Sequence, residues 1–93
     1  MNREEYLKNI TNLENKLKRL QSEFAKLNIR GQEYARIEIL LEYLASLRKV
    51  VNTEFYRDIA SDILQSDLDY FEANVKGLGI VLEAVRGHKN GTP

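Results

Sequence analysis

The chain has no cysteine, no tryptophan, one proline and one histidine in 93 residues. Without cysteine there is no disulfide to staple a small fold and no thiolate to serve as nucleophile or metal ligand. A single histidine cannot assemble a metal centre, and His88 lies in a glycine-bounded C-terminal segment where nothing would hold it to the tolerance that catalysis demands. Charge of one sign is also missing: 14 lysines and arginines balance 14 aspartates and glutamates, so no overall excess draws the chain to nucleic acid or to an anionic membrane. No run approaches the roughly 18 continuous apolar residues of a membrane span, and Met1 to Glu5 opens into mixed polar and apolar sequence without a signal-like stretch. These absences predict a cytoplasmic, non-enzymatic protein without cofactor or metal, off the membrane, and with nucleic acid binding through its first helix only a minor alternative.

A domain of this size buries a modest share of its surface, so in the absence of staples it depends on efficient helix packing or on self-association. The composition suits packing: 43% of residues are hydrophobic and 30% charged, the balance of a globular chain. The apolar residues recur at helical spacing. Tyr6, Ile10, Leu13, Leu17, Leu20, Phe24 and Leu27 form a narrow seam alternating steps of four and three, as coiled-coil faces do. A second seam follows at Ile37, Leu40, Leu44, Leu47 and Val51, widened by Ile39, Leu41, Tyr43 and Val50. The third runs through Leu64, Leu68, Phe71, Val75, Leu78, Leu82 and Val85.

The predicted fold is therefore all-α, a small bundle of helices over about 3–28, 32–51 and 53–86, occupying residues 1–86 as one domain. Asn28 and Gly31 mark the first turn, and Val50-Val51-Asn52-Thr53, with two β-branched residues before two capping residues, marks the second. Ser66 and Asp67 could cap a shorter final helix, so a break near 65–67 would make the bundle four-helical. Gly87 reads as a helix stop, and 87–93 as a flexible tail.

Charge is distributed unevenly. Met1 to Gly31 carries seven bases against four acids, a local +3, whereas Asn52 to Glu72 carries six acids against Arg57 alone, a local −5. Electrostatic pairing of the first helix with the acidic segment is the plain expectation. Asp58, Asp62 and Asp69 share a helical face and are candidates for docking a basic partner. As a cation site the row is poor, because carboxylates strung along a helix do not gather around a point.

Gly77 and Gly79 cannot form a phosphate loop, lacking the third glycine, the lysine and the strand before it. Each costs a helix interior about 1 kcal/mol, a cost offset where another backbone comes close. Ala73, Gly77, Ile80 and Ala84 fall on one face as a shallow groove, and ten of the sixteen residues from Tyr70 to Val85 are apolar, too many for a helix buried on one side only. The expectation is a homo-oligomer whose contact involves Phe71, Ala73, Val75, Gly77, Leu78, Val81 and Ala84, working as an adaptor, inhibitor or assembly factor through a protein partner of unknown identity. The alternative is a small anionic ligand of nucleotide type, bound between subunits by Arg30, Tyr34, Arg36, Tyr43 and Arg48.

Overall fold

Helix α1 covers Arg3–Lys26, opening with Glu4 and Glu5 in its first turn and closing with Lys26 in its last, charges placed to favour the helix dipole. The computed structural model describes residues 3–53 and 61–91, the side chains of 61–64 and 89–91 excepted. Among these residues there are two further helices, α2 (Gln32–Val51) and α3 (Ser61–Gly91), and no strand, so the protein is a small all-α bundle.

The α1 to α2 turn is built by Asn28, whose φ of 60° is left-handed. The Ile29 amide reaches back to the Phe24 carbonyl at 2.9 Å and the Asn28 amide to the Ala25 carbonyl at 3.0 Å. This is the Schellman pattern, with asparagine in the position that glycine usually takes. Ile29, just beyond, is half-buried against the core that contains Phe24, the apolar contact that accompanies such ends. α2 starts after Gly31 without a side-chain cap and ends at Asn52, whose amide bonds to the Arg48 carbonyl at 3.0 Å. The Thr53 hydroxyl donates to the Val50 carbonyl at 2.8 Å, so Asn52 and Thr53 close α2 where the sequence suggested the opening of a new helix.

α1 packs on both other helices, while α2 and α3 approach each other less closely. The buried seam of α1, namely Tyr6, Ile10, Leu13, Leu17, Leu20 and Phe24, is shared between its two neighbours. Ile37, Leu40, Leu44, Leu47 and Val51 meet it from α2, and Leu68, Phe71, Leu78 and Leu82 from α3. Each such side chain contributes about 1.5–3 kcal/mol on burial, and no polar residue is buried among the described ones. Arg3 beside Thr53 and Glu14 beside Arg48 run α2 antiparallel to α1, and Glu23 beside Arg86 brings the C-terminal half of α3 to that of α1. The molecule is a rod of 56 × 18 × 17 Å. At about 1.5 Å per residue α3 is roughly 46 Å long against about 30 Å for α2, so α3 overhangs its neighbours.

Two boundaries differ from those read in the sequence. α3 passes through 65–67 without a break, because Leu68 and Phe71 anchor it in the core just beyond and Gln65 donates to Asp69 along the helix at 2.9 Å. It also runs past Gly87 to Gly91, and Gly87 has no left-handed φ that would end it. His88 thus stands on a helix rather than in a tail. The predicted helical stretch 54–60 lies outside the described residues.

Candidate functional site

Because α2 and α3 both lean on α1, a groove stays open between them. It holds two adjoining depressions of about 470 and 430 Å³ that share Gln32, Arg36, Tyr70 and Asn74. Glu33, Ala73, Gly77, Leu78 and Val81 line the first, and Ala35, Ile39 and Leu40 the second. The walls come from residues one step away from the core seams. On α2, Arg36 and Ile39 precede the buried Ile37 and Leu40, and Tyr43 and Val50 continue the same register beyond the depressions, before the buried Leu44 and Val51. On α3, Tyr70, Gly77 and Val81 precede Phe71, Leu78 and Leu82 in the same way.

This face is apolar and exposed. Ile39 is 64% exposed, Tyr43 53%, Tyr70 62%, Ile80 64% and Val81 37%. At Gly77 a Cβ would meet no atom within 4 Å, so the glycine opens into the groove and not onto a neighbouring helix. Tyr43 and Tyr70 each contact the buried Phe71, their ring centroids 5.3 and 5.8 Å from it. Asn74 donates to the Tyr70 carbonyl at 2.9 Å along its own helix.

The predicted self-association residues divide accordingly. Ala73, Gly77 and Val81 lie in the groove and Ala84 is exposed on the same side of α3; Phe71 and Leu78 are buried in the core of the chain itself, and Val75 packs partly against it. The aromatic and leucine positions faced inward because α1 needs them as the third wall of its seam. Ile39, Tyr70 and Asn74, which the sequence reading did not single out for contact, belong to the groove; the signal for them was the second apolar register beside each core seam.

The five candidates for an anionic ligand do not converge. Arg30 stacks over Tyr34 at 5.8 Å near the α1 to α2 turn. Arg36 lines the groove and Tyr43 flanks it. Arg48 is on the opposite flank of α2, where it donates to Glu14 and, at 3.1 Å, to Thr11 of α1. Of the acidic row, Asp69 is exposed, Asp58 lies outside the described residues and the side chain of Asp62 is likewise outside them.

Glu54, Asp58 and the side chain of Asp62, half of the acids expected to pair with the first helix, lie outside the described residues. Among the described residues it is the glutamates of α1 that bridge outward, Glu14 to Arg48 of α2 and Glu23 to Arg86 of α3. Glu14 and Glu23 sit one residue from Leu13 and Phe24 and so reach the helix boundaries. The Glu23 carboxyl is held below its usual pKa, first by the hydrogen bond from Lys26, with the charges of Lys26 and Arg86 adding to it and desolvation opposing. Lys16, Lys18 and Arg19 face solvent.

Among the described residues no cluster of histidine and carboxylate side chains could hold a metal ion, and no helix is long and apolar enough to cross a membrane. Comparison with protein-family models, curated proteins and solved structures finds no match to this chain.

Proposed function

We propose that this protein is a non-enzymatic helical interaction module that acts by protein–protein contact and self-associates through the α2–α3 face. The carrying observation is the set of Ile39, Tyr43, Tyr70 and Val81, exposed along the α2–α3 groove, with Ile80 exposed further round α3. Together they leave on the order of 500 Å² of side chain in water, comparable to the largest patches on monomeric proteins, which are often the functional ones. The arrangement resembles a four-helix bundle lacking one helix: α1 satisfies both neighbours, and the slot between those neighbours has no occupant from the described chain.

Light scattering across a concentration range tests the reading. The expected result is a mass above that of one chain, reduced to one chain by Tyr70→Lys with helicity unchanged. A parent that stays monomeric at every concentration, or a Tyr70→Lys protein that associates like the parent, overturns it.

One observation favours a second reading. Arg36 projects into the larger depression with Gln32, Asn74 and the ring of Tyr70, groups that suit an anionic molecule with a flat body. Glu33 in the same wall opposes it. Under this reading a nucleotide raises the melting temperature and Arg36→Ala abolishes the rise; under the contact reading nucleotides leave it unchanged.

A further inference from the structure

α3 carries a second seam on its exposed side, Ser66, Tyr70, Ala73, Gly77 and Ile80, with the same alternation of four and three as its buried one. The side-chain sizes along it alternate too. Reversed about Ala73, the order brings Ser66 opposite Ile80 and Tyr70 within one residue, about 1.5 Å, of Gly77, so each large residue meets a small one. A seam whose large positions mirror its small ones is complementary to its own antiparallel copy, which is the condition a two-fold interface must meet. Gly77 leaves open space where a Cβ would stand, and a tyrosine ring can rest there on bare backbone.

Charge beside the seam obeys the same symmetry. Asp69 and Lys76 flank it seven residues apart, both exposed. Lys76 has no ion pair with a described residue, and Asp69 accepts a hydrogen bond from the neutral Gln65 amide. Turning one α3 against another about Ala73 sets Asp69 of each beside Lys76 of the other. Glu72, exposed between Asp69 and Lys76, and Glu83, paired with Arg86 at 3.0 Å, lie further round the same flank. A second copy sets Asp69 of each α3 near Lys76 of the other, so the attraction is made twice by symmetry.

We infer that the occupant of the exposed face is a second copy of this chain, its α3 lying antiparallel on the first with the two-fold axis at Ala73, Tyr70 seated on the other copy's Gly77 and Asp69 paired with the other copy's Lys76. The inference rests on the self-association reading and specifies its partner and register. Covering Tyr70, Ile80 and Val81 of α3 on both copies removes on the order of 600 Å² of apolar side chain from water, the scale of a weak, concentration-dependent association.

Charge reversal with rescue tests the register. Sedimentation equilibrium would measure the dimer dissociation constant of the parent, Asp69→Lys, Lys76→Asp and the double variant, with circular dichroism checking that all four are equally helical. Each single reversal places like charges together at two symmetry-related points, so Kd should rise about tenfold or more. The double variant should return to within about threefold of the parent. Gly77→Leu, which fills the recess, should abolish the dimer while keeping or raising helix content. A monomeric parent sinks the self-association reading and this inference with it. A dimeric parent that Gly77→Leu dissociates but the charge reversals leave alone, or whose double variant is not rescued, keeps the face and overturns the register. A dimer indifferent to all of them overturns both the register and the choice of face.

Discussion

Leu17 occupies the middle of the α1 seam, fully buried where α2 and α3 both converge. Replacing it with alanine removes three carbons. At about 0.8 kcal/mol per buried methylene the lost transfer energy is about 2.4 kcal/mol. The vacated space is on the order of 80 Å³; if half of it persists as cavity, a cost of about 24 cal/mol per Å³ adds about 1 kcal/mol. The expected loss is thus 3 to 4 kcal/mol, roughly, against a total stability of about 5–14 kcal/mol for a chain of this length. Urea unfolding followed by circular dichroism, with parent and variant at one protein concentration so that association does not distort the comparison, measures it. Ile39→Ala is the matched control. It removes a comparable side chain from a position 64% exposed, so under dilute conditions it should cost less than about 1 kcal/mol. A Leu17→Ala protein within 1 kcal/mol of the parent, or an Ile39→Ala protein as damaged as Leu17→Ala, would refute the assignment of inner and outer seams.

Leu44→Ala and Leu68→Ala, buried in α2 and α3, should each cost about 2–5 kcal/mol in the same assay, and near-parental stability at Leu68 would detach α3 from the core. Asn28→Gly should hold or raise the melting temperature and Asn28→Val should lower it by more than about 1 kcal/mol equivalent, since the left-handed φ of 60° suits glycine and strains a β-branched side chain; equal melting of the two would refute the turn geometry. Glu23, with its pKa lowered in the folded state, contributes stability that is complete above the ordinary carboxylate pKa of 4.5 and fades as pH falls through the lowered value. Glu23→Gln should therefore flatten the acid limb of the stability profile, and an unchanged limb would show the Lys26 and Arg86 contacts to be inconsequential. Arg48→Ala should cost up to about 1 kcal/mol, the ceiling for partly exposed pairs, and less in high salt; a salt-independent loss would mean that its methylenes matter more than its charge.

Much of the fold is legible along the chain. The buried residues of α1 are those of its periodic seam, because a helix packed on a partner must turn one stripe inward every 3.6 residues and the stripe is written in residue type. The end of α1 could be read from Asn28 and Gly31, since a left-handed residue is a local matter of sterics. Local signals failed where several of them competed. Ser66 and Asp67 are respectable caps, yet α3 continues through them, because a straight helix carries the chain directly into the buried Leu68 and Phe71. Gly87 likewise does not stop it.

The sequence by itself determined that this protein is helical, where its seams run and that α3 has more apolar surface than one neighbour can cover. Which seam faces inward was a tertiary decision. Phe71 and Leu78 look as suited to a partner as Tyr70 and Val81 do, and only the packing of α3 on α1 sends the former pair into the core and leaves the latter beside an open groove. The same holds for charge. Helix one is basic in sum, yet its Glu14 and Glu23 pair with Arg48 and Arg86 of the other helices, since an ion pair depends on which side chains stand at the helix boundary and not on the total for the segment. Periodicity along one helix fixes angles around its own axis, whereas the choice among faces is made by the distance to a second and third axis, which no single segment encodes.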